Sequence, residues 1–175
     1  LGEKTADDAK GNRQEKNQIV LDAETTTVAK DGKLDVKNTL TLEKNLTVQG
    51  IVNTVATDVK VIGSGDQATN NTVKVTVDAS GSTYAGSASL GKVTVGAGTA
   101  QDANSLTVSV VDAASAQADS LDIAAEVKDK DGSTTKNTAG KFVLASGKFN
   151  AGTLTNGGSV SIGDSGAATL TVSGT

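Results

Sequence analysis

Short runs of alternating apolar and polar residues, each broken within a few positions by Gly, Asn or Ser, constrain this chain more than any other feature. They are clearest from Lys141 onward, where KFVLASGKFNAGTLTNGGSVSIGDSGAATLTVSGT contains the pieces FVL, TL, SVSI and ATLTV. Leu154, Val160, Ile162, Leu170 and Val172 recur while the residues between them stay small. A strand this short can turn a corner every few residues and stack on a copy of itself, burying a stripe that it cannot bury alone. The pattern predicts an all-β chain whose segment 141–175 is coiled or stacked, a β-solenoid.

The same signal runs through 18–65. Gln18 to Val28 (QIVLDAETTTV) reads as a first strand. KLDV, TLTLE, NLTVQG and DVKVIG then alternate, turning Leu34/Val36, Leu40/Leu42, Leu46/Val48 and Val59/Val61 inward. Asp31-Gly32, Lys37-Asn38, Lys44-Asn45 and Gly63-Ser64-Gly65 mark turns. Spacing this tight suits the faces of a coil better than hairpins with real loops. GKLDVKNTLTLEKNLTVQGIVNT resembles the strand-turn repeats of phage tail fibres and other elongated β-structured bacterial fibres. GTLTNGGSVSIGDSGAATLTVSG resembles the repeats of autotransporter and filamentous-haemagglutinin adhesin passengers. The resemblance implies a surface fibre or adhesin, and it carries no catalytic residues to transfer.

Residues 66–140 read differently. Thr72–Asp78, Ser89–Val95, Ser105–Val111 and Leu121–Lys128 are longer strands, with turns at Ser80-Gly81, 96–104 and 129–133. That spacing fits a small antiparallel, Ig-like β-sandwich, against which stands one irregular solenoid throughout. The Ala-rich stretch 111–127 could also form a helix, but the alternation of Leu121 and Ile123 favours a strand. The expected organisation is therefore a flexible polar N-terminal arm over 1–17, strand-turn repeats over 18–65, a sandwich-like section over 66–140 and solenoid-like repeats over 141–175.

Composition narrows the function. Hydrophobic residues make up 36% of the 175 positions, but Phe, Tyr and Trp together only 2%, so the core must come in thin layers of Val, Leu, Ile and Ala. Thin layers suit a narrow stack better than a deep cleft. The chain has no Pro, Cys, His, Met or Trp, so it lacks the commonest general base and the commonest transition-metal ligands. No apolar run approaches the roughly 18 residues that span a bilayer. The absence of Met makes Leu1 an expected processed terminus, and the Lys-, Thr-, Ser- and Asn-rich composition suits secreted surface material. Net charge is −4 and Arg13 is the single arginine, which argues against a nucleic-acid partner.

Four features were candidates for chemistry. Asp129-Lys130-Asp131-Gly132 has the opening pattern of a calcium loop, but 132–137 supplies no further acid, so a plain turn is expected. Asp58, Asp66, Asp78, Asp102, Asp112, Asp119, Asp122 and Asp164 sit near strand ends, where Asx-turns use them. Asn45-Leu46-Thr47 and Asn70-Asn71-Thr72 fit the N-glycosylation pattern, at a frequency chance supplies in a chain this rich in Asn and Thr. Thr39, Thr41, Thr47, Thr76, Thr94, Thr107, Thr169 and Thr171 lie on the polar sides of strands, as a solvated face or as a flat contact face for a subunit or polysaccharide.

No catalytic, metal or cofactor site is expected. The expected function is a structural subunit of an extracellular filament, fibre or surface layer, self-assembling through exposed β edges. ATLTVSGT carries no polar cap after it, so head-to-tail homopolymerisation is expected there, with Leu170, Val172, Thr169 and Thr171 at the interface. Host or surface polysaccharide is a further expected partner. The alternatives are an adhesin-type binding module or passenger fragment and, third, a polysaccharide-cleaving enzyme on the same scaffold.

Overall fold

The computed structural model describes residues 13–15, 18–54, 57–61, 72–79, 86–98, 101–112 and 114–174. There is no helix among the described residues. The strands, in chain order, are β1 (Arg13–Glu15), β2 (Gln18–Leu21), β3 (Thr25–Val28), β4 (Lys33–Asp35), β5 (Thr39–Leu42) and β6 (Asn45–Val48). Next come β7 (Ile51–Asn53), β8 (Asp58–Val61), β9 (Thr72–Asp78), β10 (Ser87–Val95), β11 (Ser105–Val111) and β12 (Ser115–Ile123). The last are β13 (Val127–Lys128), β14 (Thr135–Asn137), β15 (Lys141–Asn156), β16 (Ser159–Ile162) and β17 (Ala168–Val172). All but β13 and β14 join one 15-stranded, largely parallel sheet that folds back on itself until it is nearly barrel-shaped.

Three parallel ladders build it. The first stacks β2, β5, β8, the second half of β10, the second half of β12 and the last residues of β15. The second stacks β3, β6, β9, β11, the start of β15 and β16. The third stacks β4, β7, the start of β10, the start of β12, the middle of β15 and β17. The chain visits the ladders in rotation, so each circuit lies on the one before. Antiparallel pairing among the described residues is confined to β1 against β2 and to the β13–β14 hairpin.

Alternation decides which way each strand faces. Leu34, Val36, Leu40, Leu42, Leu46, Val48, Val59 and Val61, the inward set expected from sequence, are all buried. They form one core with Val73, Val75, Val77, Leu106, Val108, Leu121 and Leu144. Each such side chain contributes roughly 1.5–3 kcal/mol on burial, partly offset by chain entropy. Phe142 and Phe149 lie on adjoining ladders of one circuit, both within β15, and meet inside, with ring centroids 5.6 Å apart and planes tilted 52°. Among the described residues, aromatic rings are thus spent at a single level of the stack.

The corners demand glycine. Ile51 N–H donates to Gly32 O at 3.0 Å, Ser87 N–H to Gly50 O at 2.9 Å and Ser115 N–H to Gly86 O at 3.0 Å, so one corner is a column of backbone-to-backbone contacts. A Cβ on Gly50 would collide with the Gly32 and Ala29 carbonyl oxygens. At another corner Thr54 replaces a backbone acceptor, its Oγ1 receiving Gly91 N–H at 3.1 Å.

Three expectations change. The single strand read over Gln18–Val28 is two strands, β2 and β3, because the chain turns between ladders at 22–24. The antiparallel neighbours that an Ig-like sandwich over 66–140 requires are not what its long strands make: β9, β10, β11 and β12 all pair in parallel with strands of adjoining circuits. Length was the misleading signal. β10 and β12 are long because each rounds a corner unbroken, giving its first half to one ladder and its second to the next. In the polar arm, residues 1–12 and 16–17 lie outside the described residues, while 13–15 form β1, which pairs with β2. The strand preference over 111–127 holds in β12.

Candidate functional site

The four residues expected at an assembly interface lie on β17, which pairs with β15 through Gly147↔Ala168 to Ala151↔Val172. Alternation separates them. Leu170 packs against the core from a half-buried position and Val172 is 41% exposed, whereas Thr169 and Thr171 are exposed outward-facing positions between them. The circuit brings other side chains to the apolar pair: Leu154, Val160 and Ile162, of which Ile162 is 49% exposed. Their register partners one circuit back are Leu121, Phe142, Leu144, Phe149 and Ala151, each no more than 1% exposed. The inner surface of the circuit 153–172 is therefore an apolar cross-section that nothing described covers. Sequence reasoning saw these five apolar residues recur but could not see that they share one uncovered level.

The described edges of β16 and β17 pair on one side only, with β15. Beyond β17, Ser173 N–H donates to Ala151 O at 3.0 Å and Gly174 N–H to Gly152 O at 2.6 Å, so the ladder continues past the assigned strand. From 151 onward Asp164 is the single ionisable side chain. Its carboxylate accepts the Ser161 hydroxyl at 2.5 Å.

A second feature gathers at the corner between the first and second ladders. There 96–98 with 101–104, and in the next circuit 124–140, leave the stack and bond to each other. Gly98 N–H donates to Thr138 O at 2.8 Å, and Asn137 Nδ2 donates to Gly98 O at 2.8 Å. Buried Asn104 donates Nδ2 to Ala97 O at 2.8 Å and anchors the base. The outer loop carries β13 and β14 and ends in the Asp129–Gly132 turn. Ser133 N–H donates to Asp131 Oδ1 at 2.8 Å and to Asp129 Oδ1 at 3.1 Å. The Asp129 side chain first, and the Ser133 hydroxyl and amide next, hold the Asp131 carboxyl down at about 2. These carboxylates are used up in shaping a turn. No group of three or more potential metal ligands occurs among the described residues.

The remaining candidates disperse. Asn45 takes part in the ladder through its carbonyl: its Oδ1 receives Lys74 N–H at 3.0 Å, filling the place where β9 overhangs β6. The second sequon begins outside the described residues, as does Asp66. The eight threonines do not share a face, since Thr39, Thr41 and Thr94 are on the first ladder, Thr47, Thr76 and Thr107 on the second, and Thr169 and Thr171 on the third. The register instead makes a hydroxyl column that the spacing hid: Thr27, Thr47, Thr76, Ser109 and Ser146, each the direct partner of the next. Asp58 is stacked beside Lys92. Lys33 pairs with Asp35 at 2.7 Å, and this hydrogen bond holds the exposed Asp35 carboxyl below its usual range. Lys33 is also the one titratable side chain lining a depression of ≈180 Å³ between β3 and β4.

No helix of the described residues is long and apolar enough to cross a membrane. No protein-family model, no curated protein and no solved structure matches the chain.

Proposed function

We propose that the three-ladder stack is a β-solenoid and that the chain serves as a structural subunit of an extracellular filament, fibre or surface layer, self-assembling through exposed β edges. The observation that carries this reading is the contrast between adjoining levels of the stack. Leu121, Phe142, Leu144, Phe149 and Ala151 are no more than 1% exposed at one level, while at the next Ile162 and Val172 are 49% and 41% exposed beside strand edges that nothing described pairs. An unpaired parallel edge over an apolar level favours another strand, and native edges that must stay single are blunted by Lys, Pro or bulges. Lys148 is the last lysine, and the chain contains no proline. The extracellular setting rests on the composition and on the resemblance to surface-fibre repeats. A chain without His or Cys and with few aromatic side chains favours a non-enzymatic role.

Negative-stain microscopy of the purified chain over a dilution series tests the proposal. Assemblies of uniform width that increase with concentration are expected; dispersed single chains at every concentration would contradict it.

The second reading, an adhesin-type module, draws on the joined segments 96–98, 101–104 and 124–140. Two residues suffice to turn the same corner at Gly157-Gly158, so the long excursions are not needed to close a circuit. Insertions that line up on one side of a stacked scaffold are a common form of binding surface. Host or surface polysaccharide is the ligand class this reading proposes, and loss of binding on shortening 126–137 to a two-residue turn would support it.

A further inference from the structure

The two ends of the stack are unlike, and this restricts how copies can meet. In the first circuit most inward residues are covered, Thr26 at 8%, Leu34 at 6% and Val36 at 3% exposed, while Ile19 is half-buried. In the circuit 153–172 the column of Thr26 ends in Ile162, 49% exposed, and that of Leu34 in half-buried Leu170; Val172 is 41% exposed, Val160 is half-buried, and Leu154, in the column of Ile19, is half-buried like it. A head-to-tail stack needs a donor face and an apolar acceptor at the other end. The depression beside Thr26 and Leu34, at ≈180 Å³, holds a side chain or two and not a three-sided cross-section.

Accepting the self-assembly reading above, on which this inference rests, we infer that the face made by Leu154, Val160, Ile162, Leu170 and Val172 binds the same face of a second copy in a two-fold contact. An isologous contact requires a surface complementary to itself. Charge permits this here: Asp164 is the single ionisable group from 151 onward, so two copies bring almost no like charge together, while a strongly charged partner finds nothing to pair with. An exposed edge that meets its own copy across the two-fold axis runs in the opposite direction, so that contact between copies is antiparallel although the ladders within each are parallel.

Sedimentation velocity of the full chain across a concentration series, with Ile162→Lys, Val172→Lys and, at the opposite end, Thr27→Lys, separates the possibilities. All three positions are exposed, so each variant is expected to fold. The expected result is a smallest assembly of two chains, weakened at least tenfold by either substitution on the face and unchanged by Thr27→Lys. An open series of sizes that Thr27→Lys blocks as strongly as Ile162→Lys would overturn the two-fold contact and leave self-assembly standing. A dimer indifferent to both face substitutions would overturn the assignment of the face. Monomers alone at all concentrations would overturn the inference and the self-assembly reading together.

Discussion

At the scale of single residues the fold is held at its corners by positions that accept no side chain. Gly50→Ala places a methyl group against two carbonyl oxygens and is expected to destabilise by about 1–3 kcal/mol, as overpacking does. Gly166→Ala meets the Ser146 Cβ at an ordinary 3.7 Å and is expected to be near neutral. Thermal melts of the two variants make the comparison. Asn104→Ala removes the Nδ2 donor to Ala97 O from a buried site and is expected to cost about 1–3 kcal/mol. The Asp131 carboxyl, ordinarily near 3.8, is held at about 2, so its contribution to the hairpin turn is fully present above the ordinary value. That contribution is lost as pH falls from about 4 to about 2. Ser133 amide shifts over this range, followed by NMR, are expected to report the loss. Much at this scale was legible: Asp31-Gly32 turns as its dipeptide dictates, and the Asp129–Gly132 segment is a turn. The demand at Gly50 was not, because it comes from a carbonyl one circuit away.

At the scale of elements, position in the stack sets the value of a side chain. Leu121→Ala should cost about 2–5 kcal/mol, since Leu121 is fully buried between circuits. The same change at Leu154, its register partner, should cost less than half as much, because Leu154 is already partly exposed. Paired denaturant titrations measure the difference. Inward and outward faces were readable from period-two alternation alone, as Leu40/Leu42 and Val59/Val61 demonstrate. Where one strand stops and the next ladder begins was not. β15 crosses all three ladders without a break, its direction changed at Gly147 (φ 79°) and at Gly152, and local sequence gives such a strand one length and no corners.

At the scale of the whole molecule the account turns on parallel stacking with a varying repeat. Val20 lies beside Thr41, Thr41 beside Lys60, Lys60 beside Thr94, Thr94 beside Asp122 and Asp122 beside Thr155, and the sequence offset changes at every step. An uneven offset leaves no fixed period to detect. This is why the threonines could not be sorted into columns from sequence, and why the long middle strands resembled a sandwich. The candidate assembly face was half legible for the same reason: Leu170 and Val172 could be read from β17, but their meeting with Ile162 depends on register.

The most direct test of the stack uses the absence of native cysteine. Thr47→Cys with Thr76→Cys puts two thiols on directly paired residues of β6 and β9. Strand spacing of roughly 4.7–4.9 Å falls within the separation a disulfide bridges. Thr47→Cys with Thr107→Cys places them two strands apart and two residues out of register, about 12 Å, because Thr76 pairs with Ser109 and Thr107 with Lys74. Mild oxidation is expected to close the first pair within a single chain, without loss of the native fold, and to leave the second open. A second pair that closes as readily as the first, or a first pair that never closes, would contradict the parallel register on which the fold and its assembly face depend.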